Sequence, residues 1–407
     1  MNILFISIGG LADLSETAVY PDLLRHFRDE GHSVYVICQR EKRTGFPTQL
    51  KNEHGIQVLR VRTGNITKVG LFEKGISTLC IGSIFINAIR TYYSDVKFDI
   101  VLYSTPPITV ASTVRYLKKR DNAFTYLMLK DIFPQNAVDI GILCRKGVKR
   151  FIYQYFRSKE KVLYKISDHI GCMSDANINF LIKHNPQLID KVGLCPNTIN
   201  PLPAASYIDK SANREKFSLP IDKTIFIYGG NFGKPQDVDF IIKVLQSIEH
   251  RTECHFVMCG SGTDFYKIKE YYNEHSNANL TVLDTKNTKE YGELLEACDV
   301  GLIFLDHRFT VPNFPSRILD YLNHNIPVFA STDDNTDVGE AIITGDFGWW
   351  CKSDSLSQYV ATLNIILKDH QLIKEKGIRG KEFLRVHYDT KIAYNEIMAA
   401  YIHRIHE

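Results

Sequence analysis

The sequence predicts an α/β protein built as two doubly wound, Rossmann-like domains, each around a parallel sheet, facing each other across a cleft. Three observations carry this. Short apolar runs alternate with amphipathic segments; the runs are apolar almost without interruption; and one stretch rich in Pro, Ser, Asn and Asp splits the pattern in two. Strands alternating with helices make parallel sheets flanked by helices. Unbroken apolarity marks strands covered on both faces.

In the first half the runs are "NILFISI", "SVYVI", "QVLRV", "DIVLY", "FTYLML" and "HIGC". In the second they are "TIFIY", "CHFVMC", "NLTVL", "DVGLIF" and "IPVFA". The first helix carries a stripe of Leu23, Leu24 and Phe27, and Gly31 stops it before the next strand. The divider runs from Cys195 to Lys223 and has linker composition. The expected domains are residues 1–200 and 201–385, with a C-terminal helix over 386–407 packing back on the first.

Composition narrows the class. The 407 residues are 44% hydrophobic and 23% charged, an ordinary balance for a chain with a sizeable core. Nine cysteines without a C-x-x-C describe neither a disulfide framework nor a zinc site, and fit reduced thiols in a cytosolic compartment. The opening "MNILFISIGG" lacks a basic start and reads as a strand rather than a signal peptide. The longest uncharged run, Gly75 to Ile89, has 15 residues, short of the roughly 20 that cross a bilayer. The net charge of +3 is uneven: residues 145–165 hold eight Lys/Arg and one acid.

In open parallel sheets, ligands bind beyond the carboxyl ends of the strands. "TIFIY" is followed by "GGNFGKPQDVDFIIKVL", which places Gly229, Gly230 and Gly233 between a strand and a helix. Such a loop lets backbone N–H groups approach a phosphate, and Lys234 adds a full charge. It is not a Walker A loop, since no Gly-Lys-Ser/Thr follows at the required spacing. A second glycine turn, "GSGTD", contains Gly260. In "VPNFPSRILDYLNHNIPVFA" a helix starts near Ser316 and crosses to a buried strand. Phe314, Ile318, Leu319 and Leu322 form its apolar side, and Ser316 and Asp320 share another face beside Arg317. Asn313 and Ser316 are candidate caps. Arg317 and the helix N-terminus would meet an anion, and Asp320 would accept from ribose hydroxyls. A tight βα turn and an Arg317–Asp320 surface pair would produce the same residues, and these readings stay open.

Taken in order, "YGGNFGKPQDVDFIIKVL", "FVMCGSGTD", "ACDVGLIFL" and "FPSRILDYLNHNIPVFAS" resemble the donor domain of GT-B glycosyltransferases of family 4. "MNILFIS", "FRDEGHSVYVI", "FTYLMLKDIFPQNAV" and "VGLCPNTIN" extend a weaker resemblance over the first half. The branch it looks most like builds bacterial surface polysaccharides and includes fucosamine-transferase-like enzymes. The resemblance implies a retaining, metal-independent transfer from a nucleotide diphosphate sugar, a UDP-linked N-acetylated sugar being expected. The acceptor would be a lipid-linked saccharide of capsule or O-antigen synthesis. The first domain would hold the acceptor and the second the donor, closure would assemble the site, and no cofactor or metal is expected. The expected donor contacts are Gly9, Gly10, Gly230, Asn231, Gly233, Gly260, Asn313, Phe314, Pro315, Ser316 and Asp320. Lys234 and Arg317 would stabilise the departing diphosphate, Asp131 would face the reacting sugar, and Glu16 would touch the acceptor. Asp131 has a rival reading as a polar cap on the following helix.

Two departures from the family stand out. Its two acids eight positions apart become Pro312 and Asp320 here, which leaves the sugar contact to the backbone of Asn313 and Phe314. Its Arg and Lys after the first strand of this domain align with Asn231 and Gln236. A nucleotide-sugar epimerase of the same architecture, or a non-catalytic two-domain sugar-binding protein, would share much of the pattern.

Arg145, Lys149, Arg157, Lys161 and Lys165 recur in steps of four or eight, beside Val148, Ile152, Phe156, Val162, Leu163 and Ile166. A basic amphipathic helix of this kind fits an anionic membrane surface, here the inner face of the cell membrane. A packed helix with a solvated basic face is the plain alternative. No nucleic-acid recognition fold accompanies the charge.

Overall fold

The computed structural model describes all residues except 9, 10, 12, 67, 68, 106, 107, 142, 145, 148, 204–209, 276–278 and 407. It consists of two compact units: Met1–Asn200 with Thr390–Glu407, and Pro201–Asp389.

Unit 1 holds strands β1 (Asn2–Ser7), β2 (Ser33–Glu41), β3 (Gln49–Glu53), β4 (Ile56–Thr63), β5 (Ile100–Ser104), β6 (Phe124–Leu129), β7 (His169–Cys172) and β8 (Val192–Leu194). Their order is β3-β4-β2-β1-β5-β6-β7-β8, and all pairs are parallel except β3 with β4. The sequence-level reading of apolar runs overlooks β3 and β8. β3 is the polar segment QLKNE on the sheet edge, paired on one side only, so burial never demanded an apolar run.

Unit 2 holds β9 (Thr224–Asn231), β10 (Cys254–Ser261), β11 (Leu280–Asp284), β12 (Val300–Phe304), β13 (Val328–Thr332) and β14 (Gly348–Lys352). Their order is β11-β10-β9-β12-β13-β14, parallel throughout. β12 and β13 are buried along their whole length, as strands covered by helices on both faces must be. β14, GWWCK, is a further strand that the reading of apolar runs overlooks.

The chain changes unit at its end. The helix His370–His387 belongs to unit 2, and the last helix, Thr390–His406, belongs to unit 1. Ala393 and Ile397 enter the unit 1 core, and the Tyr394 ring meets Phe27 edge-on at 5.0 Å. Asn200, where unit 1 first hands over the chain, is held by Asp22. That fully buried carboxylate accepts the Asn200 N–H at 2.7 Å and pairs with Arg25.

Asp22→Ala leaves the Arg25 guanidinium without its carboxylate and the Asn200 N–H without its acceptor. Removing one partner of a buried pair costs roughly 3–5 kcal/mol. The unfolding transition of unit 1 should move to lower urea by that amount and that of unit 2 should stay in place; an unmoved unit 1 transition would refute the anchoring role of Asp22.

Candidate functional site

In unit 2 the strand order turns back at β9, which has β10 on one side and β12 on the other. The segments leaving β9 and β12 therefore open at the switch point of the sheet. The first contains Gly230, Asn231, Gly233 and Lys234. The second leads into the helix Arg317–Asn323. Gly230 takes φ +121°, a conformation that L side chains rarely adopt. Gly260 stands opposite it in register on β10, and a Cβ there would lie 1.9 Å from the Gly230 carbonyl oxygen.

Arg317 projects from the start of its helix onto this loop. Its Nη1 donates to the Gly229 carbonyl at 3.0 Å, and its guanidinium carbon lies 4.3 Å from the centre of the Tyr228 ring. Among the described residues it makes no ion pair. Burial opposes its charge, but the surrounding oxygens of Tyr228, Tyr321 and Tyr291 raise its pKa still further. It is a sheltered cation that keeps its charge without a carboxylate.

The positions where the family resemblance expects an Arg and a Lys are joined to each other. Asn231 Nδ2 donates to Gln236 Oε1 at 3.0 Å, and the Gly233 N–H donates to the same oxygen at 3.1 Å. The cationic pair is thus replaced by a neutral one that closes the loop. Lys234 is exposed at the start of the short 3₁₀ turn Lys234–Gln236.

The helix N-terminus contributes less than the sequence suggests. The helix has seven residues, and Ser316, its N-cap, has helical φ/ψ and makes no side-chain cap bond. So short a helix sums few peptide dipoles, and the formal charge of Arg317 dominates. The Asn313 carbonyl accepts the Thr336 hydroxyl at 2.7 Å, and Phe314 is buried with its ring 5.8 Å from that of Tyr388. Pro315 and Ser316 lend their carbonyls to the N–H groups of Ile318 and Leu319. Asp320 is partly buried one turn beyond Ser316, and its carbonyl accepts from His324.

In unit 1 the switch point lies between β1 and β5. Gly9 and Gly10, which follow β1, lie outside the described residues. Asp131 stands just past β6. Its carboxylate accepts from Asn136, and its carbonyl from the Thr105 hydroxyl at 3.1 Å. Burial raises its pKa to about 6, against the lowering effect of the Asn136 and Ile132 hydrogen bonds. It does not cap the next helix, whose N-cap is Pro134. Neighbouring Lys130 turns to the carbonyls of Cys195 and Pro196, both at 3.4 Å, and burial lowers its pKa. The Glu16 carbonyl accepts from Arg25 at 3.0 Å, which fixes this residue's backbone at the end of the first loop.

The basic helix spans Lys149–Ile166 and differs from the expected stripe. Arg157 turns inward to the buried Glu160 and to Asn185 Oδ1 at 2.9 Å, because Glu160 would otherwise be a buried acid without a cation. Lys161 and Lys165 are exposed. Arg145 and the side chain of Lys149 lie outside the described residues. Ile152, expected on the packed side, is exposed together with Phe151 and Tyr155, and Lys159 lies over the Tyr155 ring at 5.3 Å.

One group among the described residues, Asp237, Asp306 and His307, brings possible metal-ligand atoms within 4.8 Å of one another. Arg308 already binds the Asp306 carboxylate, and that of Asp237 caps the Phe240 N–H. Sequence reasoning passed over Tyr228, Tyr291 and Tyr321, which surround the guanidinium; the "IYGG" and "LDYL" contexts hint at the first and last, and nothing marks Tyr291.

Residues 209–383 match the family model described as glycosyl transferases group 1. The probable glycosyltransferase WbjE of Pseudomonas aeruginosa is 22% identical over 266 residues, and the match spans 62% of this chain and 62% of that relative's length. Among solved structures, sucrose-phosphate synthase from Thermosynechococcus elongatus superposes with a TM-score of 0.76 at 14% identity, covering 99% of both chains. Anabaena Alr3699/HepE, in complex with UDP and glucose, gives 0.71 at 13% identity over 98% of both. WaaG, a glycosyltransferase involved in lipopolysaccharide biosynthesis, gives 0.65 at 12% identity over 98% of this chain and 99% of its own. With its two parallel-sheet α/β units the chain has the GT-B fold, and residues 209–383 are similar to the glycosyl transferases group 1.

Proposed function

We propose that this protein is a glycosyltransferase that moves a sugar from a nucleotide diphosphate sugar to a lipid-linked saccharide, in the synthesis of a bacterial surface polysaccharide such as capsule or O-antigen. The observation that carries this is Arg317: a sheltered guanidinium without a carboxylate, beside a glycine loop at the switch point of unit 2. A diphosphate is the anion such a group fits, and its charge as a leaving group grows in the transition state. The match of residues 209–383 and the UDP-bound relatives of the same fold support a nucleoside diphosphate sugar as the donor. The lipopolysaccharide biosynthesis in which WaaG is involved supports a surface-polysaccharide pathway, and the match to the probable glycosyltransferase WbjE supports sugar transfer. Retention of configuration, independence of metal and a UDP-linked N-acetylated donor follow from the family resemblance of the sequence.

In this reading the Arg317 guanidinium and Lys234 meet the diphosphate, Asp320 accepts from the ribose, and the backbone at Gly230, Gly233 and Gly260 permits close approach. Unit 1 takes the acceptor, with Asp131 turned to the reacting sugar. The lipid-linked acceptor would be met at the inner face of the membrane, where no spanning helix is needed. No helix among the described residues is long and apolar enough to cross a bilayer. Instead the helix Lys149–Ile166 offers Phe151, Ile152 and Tyr155 to the acyl boundary and Lys159, Lys161 and Lys165 to anionic headgroups.

Incubation with labelled UDP-, GDP-, dTDP- and CMP-sugars, with and without membrane extract, tests the whole reading. A lipid product that needs both donor and extract is expected. An epimerised nucleotide sugar, or binding without turnover, would select one of the rival functions.

Three further outcomes are expected. Arg317→Ala should lower turnover about a hundredfold or more, since one transition-state donor is worth roughly 2.7–4 kcal/mol at oxyanion sites; Asp320→Ala should act mainly on nucleotide affinity. Wild-type kinetics in both would remove the donor site from unit 2.

For Asp131 the sign follows from its raised pKa. The folded protein keeps the proton up to about pH 6, the unfolded chain only to about its ordinary 3.8. Stability from the protonated form is complete below that lower value and is lost as the pH climbs to 6. Asp131→Asn should melt like wild type near pH 4 and above it at pH 8, with turnover reduced. A variant that melts lower at pH 8 and turns over normally would make Asp131 structural.

At an anionic bilayer each Lys or Arg adds about 1 kcal/mol. Neutralising Lys159, Lys161 and Lys165 together should therefore weaken partitioning onto phosphatidylglycerol vesicles about a hundredfold. Arg157→Gln should leave partitioning unchanged and lower the melting temperature. Partitioning indifferent to salt and to the three lysines would return the helix to a solvated role.

A further inference from the structure

We infer that Tyr228 is the positioning residue of the donor site: its ring holds the Arg317 guanidinium and its hydroxyl holds the Asn231 carbonyl, which sets the cation against the loop that a nucleoside diphosphate enters. The inference rests on the proposed donor site and assigns a role to a residue that touches neither substrate nor the reacting atoms.

The argument starts from what a buried guanidinium needs. A carboxylate beside Arg317 would satisfy its charge and compete with the phosphates for it. An aromatic face attracts a cation through its quadrupole and leaves the N–H groups at the ring edge free to donate. Tyr228 supplies that face at 4.3 Å, and one N–H is anchored on the Gly229 carbonyl at 3.0 Å. Among the described residues no carboxylate takes up the other donors, and in the proposed site they meet an anion.

The ring itself cannot drift. Tyr228 is fully buried near the end of β9, in the same core cluster as Phe226. Its ring lies 4.7 Å from that of Phe232 and 5.8 Å from that of Phe304. The Tyr228 hydroxyl donates to the Asn231 carbonyl at 2.7 Å. Asn231 in turn is tied by its side chain to Gln236, so the hydroxyl fixes the loop that Gln236 closes. Gly230 completes the fit: the Arg317 guanidinium carbon lies 3.5 Å from where a Cβ on Gly230 would stand, and a larger side chain would press on the cation. Beneath, the Tyr321 hydroxyl accepts the Gly229 N–H at 3.2 Å and faces the carbonyls of Ile227 and Leu302.

The ring and hydroxyl roles separate in two variants. Tyr228→Phe keeps the ring and loses the loop bond; Tyr228→Leu loses both. Each is compared with wild type, Arg317→Ala and the Tyr228→Leu/Arg317→Ala double variant. The nucleoside diphosphate is whichever of UDP, GDP, dTDP and CDP gives the largest thermal shift, and its affinity is measured by calorimetry on protein shown to be folded. Tyr228→Leu should weaken binding roughly ten- to thirtyfold, the range for a desolvated cation–π contact. Tyr228→Phe should restore most of that loss. In the Arg317→Ala background Tyr228→Leu should cost only the small loss that Tyr228→Phe shows alone, which a merely structural tyrosine would not produce. Equal, additive losses from Tyr228→Leu in both backgrounds, or an unchanged affinity while Arg317→Ala binds poorly, would overturn the role of Tyr228 and leave the donor site standing. If none of the four nucleotides shifts the melting temperature, or Arg317→Ala binds like wild type, the donor site fails and this inference fails with it.

Discussion

A positive charge kept without a negative partner is the constraint around which unit 2 is arranged. Arg317 pays part of its desolvation to reach the β9 loop, and the surroundings return it through an aromatic face and a backbone carbonyl rather than a carboxylate. Each neighbouring feature follows from that choice. Glycine at 230 lets the guanidinium approach, glycine at 260 lets β10 lie beside the Gly230 carbonyl, and the neutral Asn231–Gln236 pair shapes the loop without adding a charge that would repel Arg317. In the proposed site Lys234 stays on the loop, while Arg317 brings its charge from the helix. A side chain anchored on a packed helix and a buried ring is held more firmly than one on an exposed turn.

Unit 1 handles polarity in the opposite manner. At the end of β6 an acid and a base are adjacent in sequence and are not paired. Asp131 bonds to Asn136 and Thr105, while Lys130 bonds to carbonyls after β8. Burial raises the pKa of the first and lowers that of the second, so both are drawn toward their neutral forms. The contrast with Arg317 lies in the partners: a ring face and one carbonyl for the cation of unit 2, hydrogen bonds to side chains and carbonyls for the acid and base of unit 1.

What could be read from the sequence follows the same physics. Strands buried on both faces announce themselves, so "TIFIY", "FTYLML" and "DVGLIF" coincide with β9, β6 and β12. The polar edge strand β3 and the brief β8 do not, because nothing forces an apolar run on them. Gly230, Lys234 and Arg317 were visible as residue types whose chemistry fits an anion. Tyr228 was not, because a buried tyrosine in a strand looks like any core aromatic until its ring is found under a guanidinium. The helix terminus at Ser316 illustrates the converse error. Capping residues and an apolar stripe do suggest a helix, but they say nothing of its length, and seven residues are too few for the dipole to rival a formal charge.

The basic helix of unit 1 shows why a charge count needs geometry. Its cations serve two masters. Arg157 is spent inside the fold, where Glu160 also accepts the Tyr164 hydroxyl at 2.6 Å. Lys159, Lys161 and Lys165 stay outside, and so do Phe151, Ile152 and Tyr155, which folding leaves uncovered. Phe151 is 71% exposed, more than any other large apolar side chain described, and core packing gives no reason for it. Isolated exposed apolar residues are ordinary, but three within one and a half turns, with lysines farther along the same helix, are the observation on which the proposed membrane contact rests. The helix Leu71–Tyr92 adds Ile76 and Leu79, and both helices pack against the short turn Ile108–Val110. Both begin at the carboxyl-terminal edge of the unit 1 sheet, the edge where Asp131 stands. An apolar rim on that edge would bring a lipid-linked saccharide to the residues proposed to meet it, with the lipid left in the membrane.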